Sequence, residues 1–239
     1  MKKSIPLSII FMLLFIVYEP SVLNADILVP DMIAIKGESF LLKAETRKGF
    51  FRKGGELVEF FLNDKSIGKN LSGGDGVAFK EMTPGTEGIK RIRVSSSEEK
   101  GEGLLLVLRR GRGVVFIDVE GTLREGQYEL KPKDGSKEAV IKISKKYPII
   151  YLYSGIFGGS LIKEWLQENG FIEAPLKLWD NGSIFYEISD KGLKIKAVIG
   201  TSAVINSAGE FKPRALTFDE DVEGAKTVES WSDIVNALQ

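Results

Sequence analysis

The sequence predicts two folded units in series, an all-β antiparallel sandwich followed by a doubly wound α/β unit built on a parallel sheet. Three observations carry this prediction. From Asp26 to Leu108 short β-rich runs alternate with turn formers at the regular spacing of sandwich strands. Beyond Val114 the pattern changes to buried-strand runs alternating with amphipathic helical stripes, the mark of a parallel sheet flanked by helices. Between the two lies Arg109-Arg110-Gly111-Arg112-Gly113, whose glycines and charges suit a short connection. The chain of 239 residues therefore divides into an amino-terminal segment 1–25, a sandwich 26–108, a linker 109–113 and an α/β unit 114–239.

In chain order, Met1-Lys2-Lys3 supplies positive charge ahead of the apolar run Ile5 to Val17, which is too short for a comfortable bilayer span. Leu23-Asn24-Ala25 suits a cleavage site, so residues 1–25 read as a secretory signal or, in the alternative, as an uncleaved anchor. Either reading makes the protein exported: periplasmic, extracellular or envelope-associated. Sandwich strands are expected at Ile33–Ile35, Ser39–Ala44, Leu57–Leu62, Gly76–Lys80, Lys90–Ser95 and Gly103–Leu108. Lys36-Gly37, Lys53-Gly54-Gly55, Asn63-Asp64, Gly73-Gly74-Asp75 and Pro84-Gly85 separate them as turns. Phe50-Phe51, set between basic residues, reads either as an exposed binding tip or, preferably, as rings covering the sandwich edge. The phrases VEFFLNDKSIG, GGDGVAFKE, TPG and IKRIRVSSS resemble bacterial immunoglobulin-like repeats. That resemblance implies a spacer or interaction module, with a cell-envelope partner bound through the sandwich.

The second unit opens with Val114–Leu123, VVFIDVEGTL, an apolar run that ends in two carboxylates and a glycine. Such a run suits a central parallel strand, and ligands of open α/β sheets collect at the carboxyl ends of strands. Asp118 and Glu120 belong at that end. Asp134 or Ser136 then caps a helix to about Lys146, with Ala139, Val140, Ile143 and Tyr147 on one face. Pro148 breaks it, Ile149–Tyr153 is a second strand, and Ser154-Gly155 lies at its tip. Gly159-Ser160 starts a helix with the stripe Leu161, Ile162, Trp165, Leu166, stopped by Asn169-Gly170. Further strands are expected at Leu176–Trp179, Lys194–Ile199 and Arg214–Phe218, with 181–193 turn-rich and partly helical at best. Ser230-Trp231-Ser232-Asp233 reads as a capping-box start to a last helix.

Composition removes several chemistries. The chain has no histidine and no cysteine, which excludes Ser-His-Asp and Cys-His catalysis, histidine or cysteine zinc sites and disulfides. Carboxylates, hydroxyls and lysines remain, so any metal would be a hard cation such as Mg²⁺ held by oxygen. The formal net charge is zero, so the sequence offers no global footprint for nucleic acid, and none is expected as a partner.

The spacing D-x-E-G-T at Asp118–Thr122 resembles the first motif of the haloacid dehalogenase superfamily, and the run YPIIYLYSGIFGGSLIKEWLQENGFIEAPLKLW is similar to its lipin-type branch. The resemblance implies a capless domain that hydrolyses phosphate monoesters through an aspartyl-phosphate, with a phosphorylated substrate that is bulky or a phospholipid. It implies Asp118 as nucleophile and Glu120 as general acid/base. Ser154 and Gly155 would bind the phosphoryl group, and Lys191, preferred over Lys194 and Lys196, would offset the negative charge. Mg²⁺ would be held by Asp118, Glu120 and Asp219. The sequence departs from the motif set at Thr201, where an acid completes the metal site in the family. Two functions follow as expectations: an exported phosphohydrolase, or a catalytically degenerate binding module or envelope interaction protein.

Overall fold

The computed structural model describes residues 27–49, 51–96, 99–126 and 130–239. The amino-terminal segment read above as a signal or anchor, and Phe50, lie outside them. Among the described residues no helix is long and apolar enough to cross a membrane.

The first unit is a two-sheet β-sandwich. Its strands are β1 (Ile27–Leu28), β2 (Met32–Ile35), β3 (Phe40–Lys48), β4 (Phe51–Arg52), β5 (Leu57–Leu62), β6 (Lys65–Leu71), β7 (Val77–Met82), β8 (Gly88–Ser96) and β9 (Glu99–Leu108). One sheet joins β3 to β1, β4 and β7, and the other runs β2-β9-β8-β5-β6. The β5–β6 hairpin shows how local chemistry sets register. Its two-residue loop is Asn63-Asp64, with φ of 47° and 64°, and these short polar side chains tolerate the left-handed conformation that matches the strand twist. Leu42, Ala44, Val58, Phe60, Ile92, Val94, Leu105 and Val107 alternate inward to form the core between the sheets. Phe51 does not cover the edge of this sandwich. It is 79% exposed, because β4 is a two-residue strand that pairs only with the far end of β3.

The second unit contains β10 (Gly113–Asp118), a π-helical turn at Val119–Leu123, α1 (Ser136–Ser144), β11 (Ile149–Tyr153), α2 (Gly159–Glu168), β12 (Leu176–Leu178), α3 (Ser183–Asp190), β13 (Lys194–Ile199), α4 (Ser202–Ser207), β14 (Arg214–Thr217), β15 (Ala225–Thr227) and α5 (Trp231–Leu238). Its sheet runs β12-β11-β10-β13-β14-β15 with every pairing parallel. Strand β10 is buried on both faces, Val115 and Ile117 toward α1, α2 and α5, Val114 and Phe116 toward α3 and α4. That is why its sequence is a continuous apolar run rather than an alternating one.

Strands β1, β4 and β6 and helix α4 are not among the expected elements, and β2 pairs with β9 in parallel where an antiparallel sandwich was expected. Three further local features differ. Helix α3 is a full two turns, held by Ile184, Phe185 and Ile188 buried against the sheet, where the sequence reads as turn-rich and partly helical at best. Helix α1 is not capped by Asp134 or Ser136. It starts from Gly135 in the left-handed conformation, φ 72°, and Ser136 is buried instead. A sixth strand, β15, is three residues long and mostly exposed, too short for a pattern to register.

The two units share a wall. Met32 and Ala34 of β2, with Leu105 and Val107 of β9, face the sandwich core. Their neighbours Ile33, Ile35, Leu106 and Leu108 face the other way and join one apolar cluster with Val114, Phe116, Phe185 and Val198 of the parallel sheet and its helices. The connection is equally tied down: Arg109 pairs with Glu87 at 2.9 Å, Arg110 with Glu38 at 2.5 Å, and Arg112 donates to the Lys146 carbonyl at 3.1 Å.

Candidate functional site

The chain extends the parallel sheet from β10 outward to β12, then returns to the other side of β10 with β13. The reversal leaves a crevice beyond the carboxyl ends of β10 and β13, the usual place for a ligand in an open sheet. Asp118 ends β10 there, and Thr201 follows β13.

Asp118 is held on all sides. Its Oδ1 accepts the Gly121 N–H at 3.1 Å, closing the π-helical turn, and its Oδ2 accepts both the N–H and the hydroxyl of Thr201 at 3.3 Å. The Thr122 hydroxyl donates to its carbonyl at 2.5 Å. Gly121 is required for this closeness, since a Cβ there would collide with Thr201 Cγ2 and come within 2.5 Å of Asp118 Oδ2. Asp118 is only 7% exposed, and burial pushes its carboxyl above the usual carboxylate range. The N–H groups of Gly121 and Thr201 oppose that shift, and the charge of Glu120 adds to it.

Glu120 is buried in the same turn, and both of its oxygens are occupied. Oε2 accepts the Ser154 N–H and Oε1 the Ser154 hydroxyl, each at 2.7 Å. The amide and hydroxyl at the tip of β11 thus grip a carboxylate of the protein itself. These are the donors that a phosphoryl oxygen would use. Gly155 follows with φ 96°, and a side chain there would press on Leu178 Cδ1 at 3.0 Å.

The structure brings Asp118, Glu120, Ser154 and Thr201 together, but not Lys191. That residue ends α3, before β13 begins, with its Nζ 3.8 Å from Glu187 and 5.9 Å from the Phe40 ring of the sandwich. At about 3.3 Å per strand residue, the length of β10 and β13 puts it roughly 17 Å from Asp118. Lys194 and Lys196 are exposed along β13. The loop position of Lys191 is real, but it is a loop at the wrong end of the sheet.

Nor does Asp219 turn toward Asp118. Its Oδ2 accepts the Ser202 N–H at 2.8 Å, satisfying the first turn of α4, and its carbonyl accepts the Thr227 hydroxyl at 3.1 Å. Among the described residues no three acidic side chains converge as a metal site. The donor set does not fit Mg²⁺. The Asp118 oxygens are engaged by N–H and O–H donors, both Glu120 oxygens are gripped by Ser154, and a hydroxyl, Thr201, stands where a third acid would be needed.

Two residues at this end of the molecule escaped sequence reasoning. Lys133 sits with its Nζ 3.5 Å from the centre of the Phe218 ring, and burial lowers its pKa against the opposing charge of Asp219. In the sequence it lies in KPKDG, which reads only as a turn. Asp31 is fully buried between the two units, where its carboxylate accepts the N–H groups of Leu104 at 2.9 Å and Leu176 at 2.8 Å and pairs with Lys163 at 2.7 Å. No local signal marks it, because its partners lie 73 to 145 positions away.

No family model matches the chain, and no curated protein matches it. Solved structures do. A CARDB domain from Pyrococcus furiosus, crystallised with di-metal ions, is 16% identical with a TM-score of 0.28, over 36% of this chain and 93% of that one. The D00-D0 domain of intimin is 14% identical with a TM-score of 0.31, over 38% of this chain and 51% of that one. Fibronectin(III)-like modules of Clostridium thermocellum CbhA are 12% identical with a TM-score of 0.27, over 37% of this chain and 48% of theirs. The chain thus spans about half the length of the last two. The resemblance to the haloacid dehalogenase superfamily and its lipin-type branch is therefore corrected: no family model and no curated protein matches the chain. Ten motif residues at a strand end are compatible with many sheets, and a strand–helix–strand run of apolar stripes is common to them all.

Proposed function

We propose that the protein is an exported binding protein of the cell envelope, whose parallel-sheet unit keeps Asp118 and Glu120 as a closed hydrogen-bonded cluster rather than as the working groups of a metal-supported hydrolase. One observation carries this reading: Glu120 fills the Ser154 amide and hydroxyl with both of its oxygens, so the protein supplies its own anion where a substrate would bind. Burial also raises the pKa of the neighbouring Asp118, which works against the ionised carboxylate that a nucleophile needs. Export is supported by the basic and then apolar order of residues 1–25, and a partner role by the sandwich that precedes the sheet.

Phosphate monoester hydrolysis is the second reading, favoured by the position of Asp118 at the sheet's switch point beside an exposed Ser154. In it, Glu120 would leave Ser154 to the phosphoryl group. An ionised Asp118 oxygen would attack phosphorus as the bond to the alcohol oxygen breaks and Glu120 gives that oxygen a proton; water, giving a proton back to Glu120, would then attack the aspartyl-phosphate, releasing phosphate and restoring Asp118. The two readings part on one assay: turnover of p-nitrophenyl phosphate, phosphosugars and phosphatidate vesicles by the full chain and by Asp118→Asn, with and without added Mg²⁺. The binding reading expects no Asp118-dependent turnover. Release of phosphate that disappears in Asp118→Asn would replace it with the hydrolase.

A further inference from the structure

A groove of about 490 Å³ opens where the two units meet, beside the carboxyl ends of β11 and β12. One wall is the β1–β2 segment of the sandwich, and the other is built from β12, α2 and the start of α3. Its size is that of a small-ligand site, and junctions between folded units are favoured places for one.

We propose that this groove binds a neutral saccharide. The inference rests on reading the chain as a binding protein and names the class of ligand it takes. Charge decides against an anion. Lys163 is paired with Asp31 at 2.7 Å, and Lys177 lies 3.3 Å from Glu187 and 3.4 Å from the Asp31 carbonyl. The Ser183 hydroxyl donates to Asp180 at 3.2 Å. An anion such as phosphate needs uncompensated cations, whereas both lining lysines are already paired; the lining carries one carboxylate more than it has lysines, Asp180, whose oxygens remain as hydrogen-bond acceptors. The remaining donor and acceptor valences of these groups suit hydroxyls, which give and accept at once.

The apolar part of the lining completes the match. Leu28, 40% exposed, and Leu178, 43% exposed, come one from each unit, and Tyr153 lines the groove with them. A Cβ on Gly159 would approach that ring to 3.2 Å, so the glycine at the start of α2 makes room for it. A pyranose offers the complementary surface, a rim of hydroxyls around apolar C–H faces. Asp31, by bonding both β9 and β12, fixes the two walls before any ligand arrives, which lowers the ordering cost of binding.

The test is binding of the full chain to an immobilised panel of neutral hexose and N-acetylhexosamine oligosaccharides beside sialylated and phosphorylated ones, with titration calorimetry on each ligand retained. Neutral oligosaccharides are expected to bind. Leu178→Arg, which fills the groove from an exposed position, and Glu187→Gln, which removes one acceptor charge, should each weaken that binding about tenfold or more with an unchanged melting temperature. Asp118→Asn should bind as the parent does. Retention of only phosphorylated or sialylated ligands, no retention at all, or unaltered binding by both groove variants would overturn the proposal. None of those results bears on Asp118-dependent turnover, so its failure and that of the binding reading are separable.

Discussion

At the scale of the residue, burial governs what the two carboxylates beyond β10 can do. Because the native state raises the Asp118 pKa, it holds that proton more tightly than the unfolded chain does. Between the ordinary carboxyl value of 3.8 and the raised native value, the folded protein therefore binds more protons, and stability falls as pH rises through that window. Asp118→Asn keeps the shape and cannot ionise, so its melting temperature relative to the parent should improve as pH rises from 3.8 through the native value and then level off. Melting curves from below pH 3.8 upward check this, and a difference that stays constant with pH would show that folding does not raise the Asp118 pKa. Gly121 makes the same turn possible by lacking a Cβ. Gly121→Ala forces Thr201 and Asp118 apart and is expected to cost about 1–3 kcal/mol in urea unfolding, the usual penalty for overfilling a packed site. Asp31→Ala removes the acceptor of two buried backbone N–H groups and should cost about 2–4 kcal/mol by the same measurement.

Among the elements, those whose signals are local were legible and those whose signals are not were missed. The Asn63-Asp64 turn, the buried run of β10 and the box that starts α5 are each written in adjacent residues. In α5 the Ser230 hydroxyl accepts the Asp233 N–H at 3.3 Å and the Asp233 carboxylate accepts the Ser230 N–H at 3.0 Å. Ser230→Ala should lower stability by about 1 kcal/mol, read from the urea midpoint, with the slope unchanged. Helix α3 needed the sheet: eight residues with three buried apolar positions make a weak pattern alone, and packing of Phe185 edge-on against Phe116 at 4.9 Å holds it in place. The site shows the same split. Asp118, Glu120 and Ser154 are readable as strand-end polar residues, but that Glu120 grips Ser154 follows only from β11 lying beside β10.

For the whole molecule, the continuous apolar stretches MIAI and LLLVL are the informative feature. In an antiparallel sandwich with one solvated face, β2 and β9 would alternate. Here they are apolar on both faces because one face is the sandwich core and the other is the covering layer of the parallel sheet. Neither unit can unfold without exposing a wall of the other. Differential scanning calorimetry should therefore show a single transition with equal calorimetric and van't Hoff enthalpies, and Leu106→Ser should shift that transition downward without splitting it. Two separate peaks in the parent would mean that the shared wall contributes little to cohesion.

The sequence by itself determined most of the strands and helices in their order, several of the turns, the absence of histidine and cysteine chemistry, and the presence of acids and a hydroxyl at strand ends. Those properties are carried by neighbours in the chain and by composition. Only the tertiary structure decided that Lys191 lies at the opposite end of the sheet, that Asp219 satisfies a helix start, that Asp31 bonds both units and that Glu120 occupies Ser154. Each depends on which strand lies beside which and in what direction it runs. Pairings between residues tens of positions apart leave no period or motif in the chain.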